Sequence, residues 1–116
     1  MKNRIVYIAA ALDCIRLINE YTKDYQFETF IADKKTQDAV IRNIEVIGQA
    51  LKDYGVDSLI DADPSMPWIQ MAGMRNILAH EYLGVDVNLV WEVVASHLIP
   101  LQRALERIKQ SNHQND

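Results

Sequence analysis

Apolar residues in this chain recur at steps of three and four, and that period constrains the fold more than any other feature. Ile5, Ile8, Leu12, Ile15 and Ile18 make one stripe along residues 4–24, the pattern of a helix with a single buried face. Val40, Ile44, Ile47 and Leu51, with Ile41 and Gly48 alongside, make a second stripe in "KKTQDAVIRNIEVIGQALKDYG". Asp33 stands where the N-cap of that helix belongs. Val94, Leu98, Leu101, Leu105 and Ile108 alternate four-three, the spacing of a packed bundle seam. The chain has only 4 Gly and 3 Pro, too few for the turns of an all-β fold. An all-α, up-and-down bundle of four to five helices is predicted.

The joints are also legible. Between Tyr25 and Asp33 the period weakens, so "FETF" is a turn or one helical turn. Residues 54–66, "YGVDSLIDADPSM", read as the clear break, dense in Asp, Pro, Ser and Gly. Pro67 suits the first turn of a third helix, with Ser65 as its cap. That helix fades near Tyr82 or Gly84. Asp86 caps a fourth helix, with Val85 and Val90 spaced as a hydrophobic staple. Pro100 should kink it, because its ring leaves the carbonyl of Ser96 without a donor. Gly48 inside a helix costs about 1 kcal/mol relative to Ala, and close approach of another helix is the natural use for it. Residues 1–110 form a single domain in this reading, and 111–116, "SNHQND", form a polar, frayed tail.

Composition excludes several functions. Cys14 is the only cysteine of the 116 residues, so neither an intrachain disulfide nor a cysteine zinc site can form, and its apolar setting marks a buried thiol. The formal charge of −4 is the wrong sign for holding long nucleic acid through the overall field. Any nucleic-acid activity has to rest on a local site or on surfaces combined in an oligomer. No run approaches the ~20 apolar residues of a membrane span and no signal-like segment opens the chain, which leads us to expect a cytoplasmic protein with no membrane partner. No metal or cofactor site is legible. Glu-x-x-His pairs are absent, "HEYLG" has Gly84 where a zinc motif needs its second histidine, and there is no phosphate-binding glycine loop. His97 reads as a half-exposed helix residue and His113 as a solvated one. Tyr21, Tyr25, Phe27 and Phe30 could stack on bases, although their place after an apolar helix favours packing. Lys34 and Lys35 read as a solvated face. Arg42, bordering the apolar stripe, is as well suited to a paired, partly buried place.

One segment stands apart. "AGMRNILAHEYLGVD", residues 72–86, sets Arg75, Asn76, His80 and Tyr82 into an apolar stretch. On a straight helix Arg75 and Tyr82 fall within about 20° of each other, but Arg75 and His80 point about 140° apart. Either the helix ends between Arg75 and His80, or a second copy of the chain completes the site. The chemistry of the group suits RNA cleavage. Arginine clamps a phosphate with two parallel N–H bonds, and histidine takes and returns a proton near neutral pH. Tyrosine can position a phosphate, and Asn76 can hold the imidazole or the helix end. The plainer alternative has Arg75 paired with a carboxylate, His80 capping the helix and Tyr82 packed.

"MRNILAHEY" resembles the Arg-x4-His-x-Tyr motif of the HepT-like toxins, within the HEPN group of helical ribonucleases. "DKKTQDAVIRNIEVIGQALK", the Pro-Trp pair at Pro67 and Trp68, and "GVDVNLVWEVV" are similar to the same family, so the likeness runs from about residue 4 to 108. Gln49 departs from it, standing where the family often has Glu. The resemblance implies a metal-independent endoribonuclease toxin that acts as a homodimer, with the motifs of two subunits facing one cleft. It implies Arg75 at the phosphate, His80 in catalysis, and Asn76 and Tyr82 in support. It also implies a nucleotidyltransferase antitoxin of the MNT kind, which silences the toxin by binding or by transferring AMP to Tyr82. Two alternatives stay open: a non-catalytic helical module that partners such a transferase, and a plain dimerisation bundle.

Overall fold

A computed structural model describes the backbone of residues 4–80 and 86–114, and the side chains of 4–74 and 86–111. The described residues are helical, without a strand. In chain order they form α1 (Ile5–Tyr21), α2 (Phe27–Ile31), α3 (Lys34–Tyr54), α4 (Val56–Ala62), α5 (Trp68–His80) and α6 (Val87–Glu92), then a π-turn (Val93–His97) that runs directly into α7 (Leu98–Gln114). The helical bundle expected from the sequence is the fold found.

The apolar stripes fold as their period requires. Ile8, Ile15 and Ile18 of α1, Val40, Ile44, Ile47 and Leu51 of α3, and Leu98, Leu101, Leu105 and Ile108 of α7 are buried in one core. α3 is the central element, packed on α1 along one side and on α5 along the other, while α7 closes against α1. Gly48 is buried on α3. Cys14 is buried as expected, and that burial, together with the nearby Asp13 carboxylate, pushes its thiol pKa up.

The short helices are held by specific polar contacts. Asp33 caps α3 as predicted, accepting from the Thr36 N–H at 3.1 Å, and its other oxygen accepts from the hydroxyls of Thr36 at 2.6 Å and Tyr25 at 2.5 Å. The buried Gln37 amide donates to the carbonyls of Phe30 and Ile31, both at 2.9 Å. It thereby gives the Ile31 carbonyl a donor and the Phe30 carbonyl, which also accepts the Asp33 N–H at 3.2 Å, a second one. Phe30, fully buried, meets Trp91 with ring centroids 5.2 Å apart. Phe30 and Tyr25 therefore serve packing and capping. Arg42 is exposed and only 3.9 Å from Glu45, and Lys34 pairs with Asp38 along the surface of α3.

Three expectations need correction. The break at 54–66 contains α4, a two-turn helix that buries Leu59. Arg4 fixes its start by donating to the Tyr54 carbonyl at 2.8 Å and to the Ser58 hydroxyl at 3.0 Å, around Gly55 at φ 113°. Ser65 does not cap α5: its N–H and hydroxyl both turn back to Asp63 Oδ1. Residues 111–114, expected to fray, continue α7 to Gln114; residues 115 and 116 lie outside the described residues. At Pro100 the expected irregularity takes the form of the π-turn just upstream, where the Leu98 N–H bonds the Val93 carbonyl five residues back. Asp86 caps α6 through the Asn88 N–H at 2.9 Å; Val85, its proposed staple partner, lies outside the described residues.

Candidate functional site

The start of α5 is fixed by Asp63. Its backbone carbonyl accepts the Trp68 indole N–H at 2.8 Å, while its carboxylate accepts from Ser65 and, at 3.3 Å, from Arg107 of α7. The Ser65 hydroxyl bond, then Arg107, hold the Asp63 carboxyl below its ordinary pKa despite partial desolvation. The Pro67 carbonyl accepts the Met71 N–H at 3.0 Å, so Pro67 opens the helix, as its missing N–H permits. Trp68, Met71 and Ala72 are buried and set the inner face of α5, whereas Ile69 is 66% exposed.

From that start the helix is unbroken to His80. The possibility that it ends between Arg75 and His80 is therefore removed. Positions 75 and 80 stand about 140° apart around one axis. Position 75 lies seven residues after Trp68 and shares the buried face to within about 20°; position 80 lies eleven after Ile69 and shares the exposed face to within about 20°. Arg75, Asn76 and His80 are thus placed by their backbone, and their side chains lie outside the described residues, as does all of Tyr82. His113 lies on α7 with its side chain likewise outside them.

Beside α5 runs a groove of about 340 Å³ between α5, the inner edge of α3, and the α6–π-turn segment. Met71, Met74 and Val93 form its apolar wall, and Gln70, Glu92 and His97 lie on its rim. His97, read from sequence as a half-exposed helix residue, is that, and its Nε2 lies 3.8 Å from Glu92, beyond hydrogen-bond range. Sequence reading missed the groove. Met71 and Met74 carry a signal only once α5 is known to face α6, since polarizable methionines suit a wall that accommodates planar ligands. Gln49 lies on the other side of α3, near Tyr7 of α1, where it donates to Asp53 at 2.9 Å. Among the described residues no group of three or more His, Cys, Asp or Glu could hold a metal, and no helix is long and apolar enough to cross a membrane.

Comparison with known proteins gives the family. Residues 11–108 match the family model described as ribonuclease HepT-like. A protein of Thermococcus cleftensis named "Probable ribonuclease HepT" is 41% identical over 89% of this chain and 93% of its own length. A protein of Caldanaerobacter subterraneus named as a candidate RNase is 31% identical over 95% of this chain and 97% of its own. A third, from Methanocaldococcus jannaschii, is named both a gamma-glutamylcyclotransferase and a candidate RNase; it is 39% identical over 95% of this chain, which spans only 49% of it. No solved structure matches the chain. With the family model covering most of its length and relatives matched nearly end to end, the chain belongs to the HepT-like ribonuclease family.

Proposed function

We propose that the chain is the toxin of a toxin–antitoxin pair, an endoribonuclease that needs no metal and whose active site is shared by two copies. The observation that carries this reading is the unbroken course of α5 through both Arg75 and His80. It separates the phosphate-binding cation from the proton-transfer group within one subunit. In the proposed dimer Arg75 of one copy meets His80 of the other.

In the proposed reaction His80 removes the proton from a ribose 2′-OH, and that oxygen attacks the adjacent phosphorus. The P–O5′ bond breaks, the leaving oxygen takes a proton, and a 2′,3′-cyclic phosphate and a 5′-OH result. Arg75 binds the non-bridging oxygens, where negative charge grows most in the transition state. Asn76 orients the imidazole, and Tyr82 supplies a further donor. Two such motifs in one cleft form a local cationic site on a chain of net charge −4.

The antitoxin in this reading is a minimal nucleotidyltransferase. The Tyr82 hydroxyl attacks the α-phosphorus of ATP, pyrophosphate leaves, and AMP stays on the tyrosine. The added phosphodiester anion then competes with RNA for Arg75. The test is expression of the chain alone, with cleavage of RNA by the purified protein in EDTA. Growth arrest and cleavage, both relieved by His80→Ala, are expected. Intact RNA together with stable binding to the transferase would instead favour the non-catalytic module.

A further inference from the structure

We propose that the groove between α5 and the π-turn is a nucleobase subsite that reads guanine beside the scissile phosphate. This rests on the ribonuclease reading for its place in the reaction, and on the groove itself for its ligand. The groove is about 340 Å³, room for one flat base, and its wall of Met71, Met74 and Val93 offers apolar, polarizable surface for a ring face. Met71 lies one helical turn before position 75 on the same helix, so the groove runs toward the residue assigned to the phosphate.

The rim points to the ligand class. Gln70 is exposed and has no hydrogen-bond partner among the described residues, so both its donor and its acceptor are available. The Glu92 carboxylate, 3.8 Å from His97, keeps its acceptor capacity. A carboxylate at the rim repels phosphate and accepts N–H groups. Guanine places N1–H and N2–H side by side on its Watson–Crick edge, the arrangement that satisfies both oxygens of one carboxylate. The π-turn that carries Val93 and His97 is a rare local form that recurs at functional sites.

The test uses the full chain labelled with [13C]methyl methionine and 2′-O-methylated RNA tetranucleotides, which bind without being cut. Met71→Leu and Met74→Leu variants assign the two signals. A guanine-containing strand should move both methyl signals through its ring current, and a uracil-only strand should move them less. Replacing guanosine by inosine, or Glu92→Gln, should each weaken binding about tenfold, the loss of one of the two bonds in the bidentate contact. Binding that leaves both methyls unmoved, or no binding at all, overturns the subsite. So do methyl shifts that follow protein concentration without RNA, which would give the groove to a second copy. Cleavage of unmodified RNA is scored in parallel. Shifted methyls with uncut RNA would refute the nuclease and keep the subsite, and cut RNA with unmoved methyls would do the reverse.

Discussion

Arg75 and His80 lie on one unbroken helix, five residues and about 140° apart. Position 75 follows the buried face begun by Trp68, and position 80 follows the exposed face marked by Ile69.

Arg75 is assigned to the phosphate because its planar fork makes two parallel N–H bonds there. Lysine keeps the charge and loses the fork. Arg75→Lys should therefore lower the rate of RNA cleavage about a hundredfold, the scale for losing one oriented donor to a developing anion. Single-turnover cleavage separates this from a binding defect. An Arg75→Lys enzyme as fast as the parent would remove Arg75 from the transition state.

Tyr82 is the proposed AMP acceptor, and only its hydroxyl can serve. Co-expression with a cognate nucleotidyltransferase should add the mass of one AMP to the intact chain, and Tyr82→Phe should add nothing. An unchanged mass in the parent, or AMP on the Tyr82→Phe chain, would put the control elsewhere.

Asp33 caps α3 as a carboxylate, and the hydroxyl bonds from Thr36 and then Tyr25 lower its pKa from 3.8 to about 2. The folded value lies below the unfolded one, so the stabilisation is fully present above about pH 4 and is lost as pH falls toward 2. The urea midpoint should drop across that window in the parent. In Asp33→Asn, which retains a cap acceptor without the titration, the drop should be shallower. Parallel curves for the two proteins would show that Asp33 does not govern acid stability.

Gln37 is 6% exposed and donates to two carbonyls of the α2 segment. Gln37→Leu nearly keeps the volume and removes both bonds, leaving the Ile31 carbonyl short of a partner and the Phe30 carbonyl with the Asp33 N–H alone. A loss of about 1–3 kcal/mol in urea unfolding is expected. Hydrogen exchange should show α2 opening first, since this one-turn helix depends on outside donors.

Much of this fold is legible in the sequence because long amphipathic helices declare themselves. The stripes of α1, α3 and α7 are buried where their period puts them, and Asp33 and Asp86 cap where an acceptor precedes an apolar run. α4 was hidden because its seven residues include two aspartates and a serine, turn formers by local preference, and only the long-range bonds from Arg4 and the burial of Leu59 fix it. Ser65 misled for a related reason: Asp63, two residues earlier, is a stronger local acceptor and takes its N–H. The groove beside α5 is a property of packing between segments twenty residues apart in the chain, which no local pattern encodes.

The motif shows the same division. Its residues and their angular split follow from spacing, whereas the choice against a helix end between Arg75 and His80 needed the course of α5 through His80.

That choice leads to the most direct test. In a dimer whose sites each join Arg75 of one subunit to His80 of the other, an Arg75→Ala subunit paired with a His80→Ala subunit holds one intact site and one doubly damaged site. Unfolding and co-refolding an equal mixture of the two inactive variants should restore about a quarter of the parent's RNA cleavage, since half the dimers are mixed and each has one working site of two. A mixture no more active than either variant alone, with the parent active under the same refolding, would place Arg75 and His80 in one subunit's site and contradict the shared-site account.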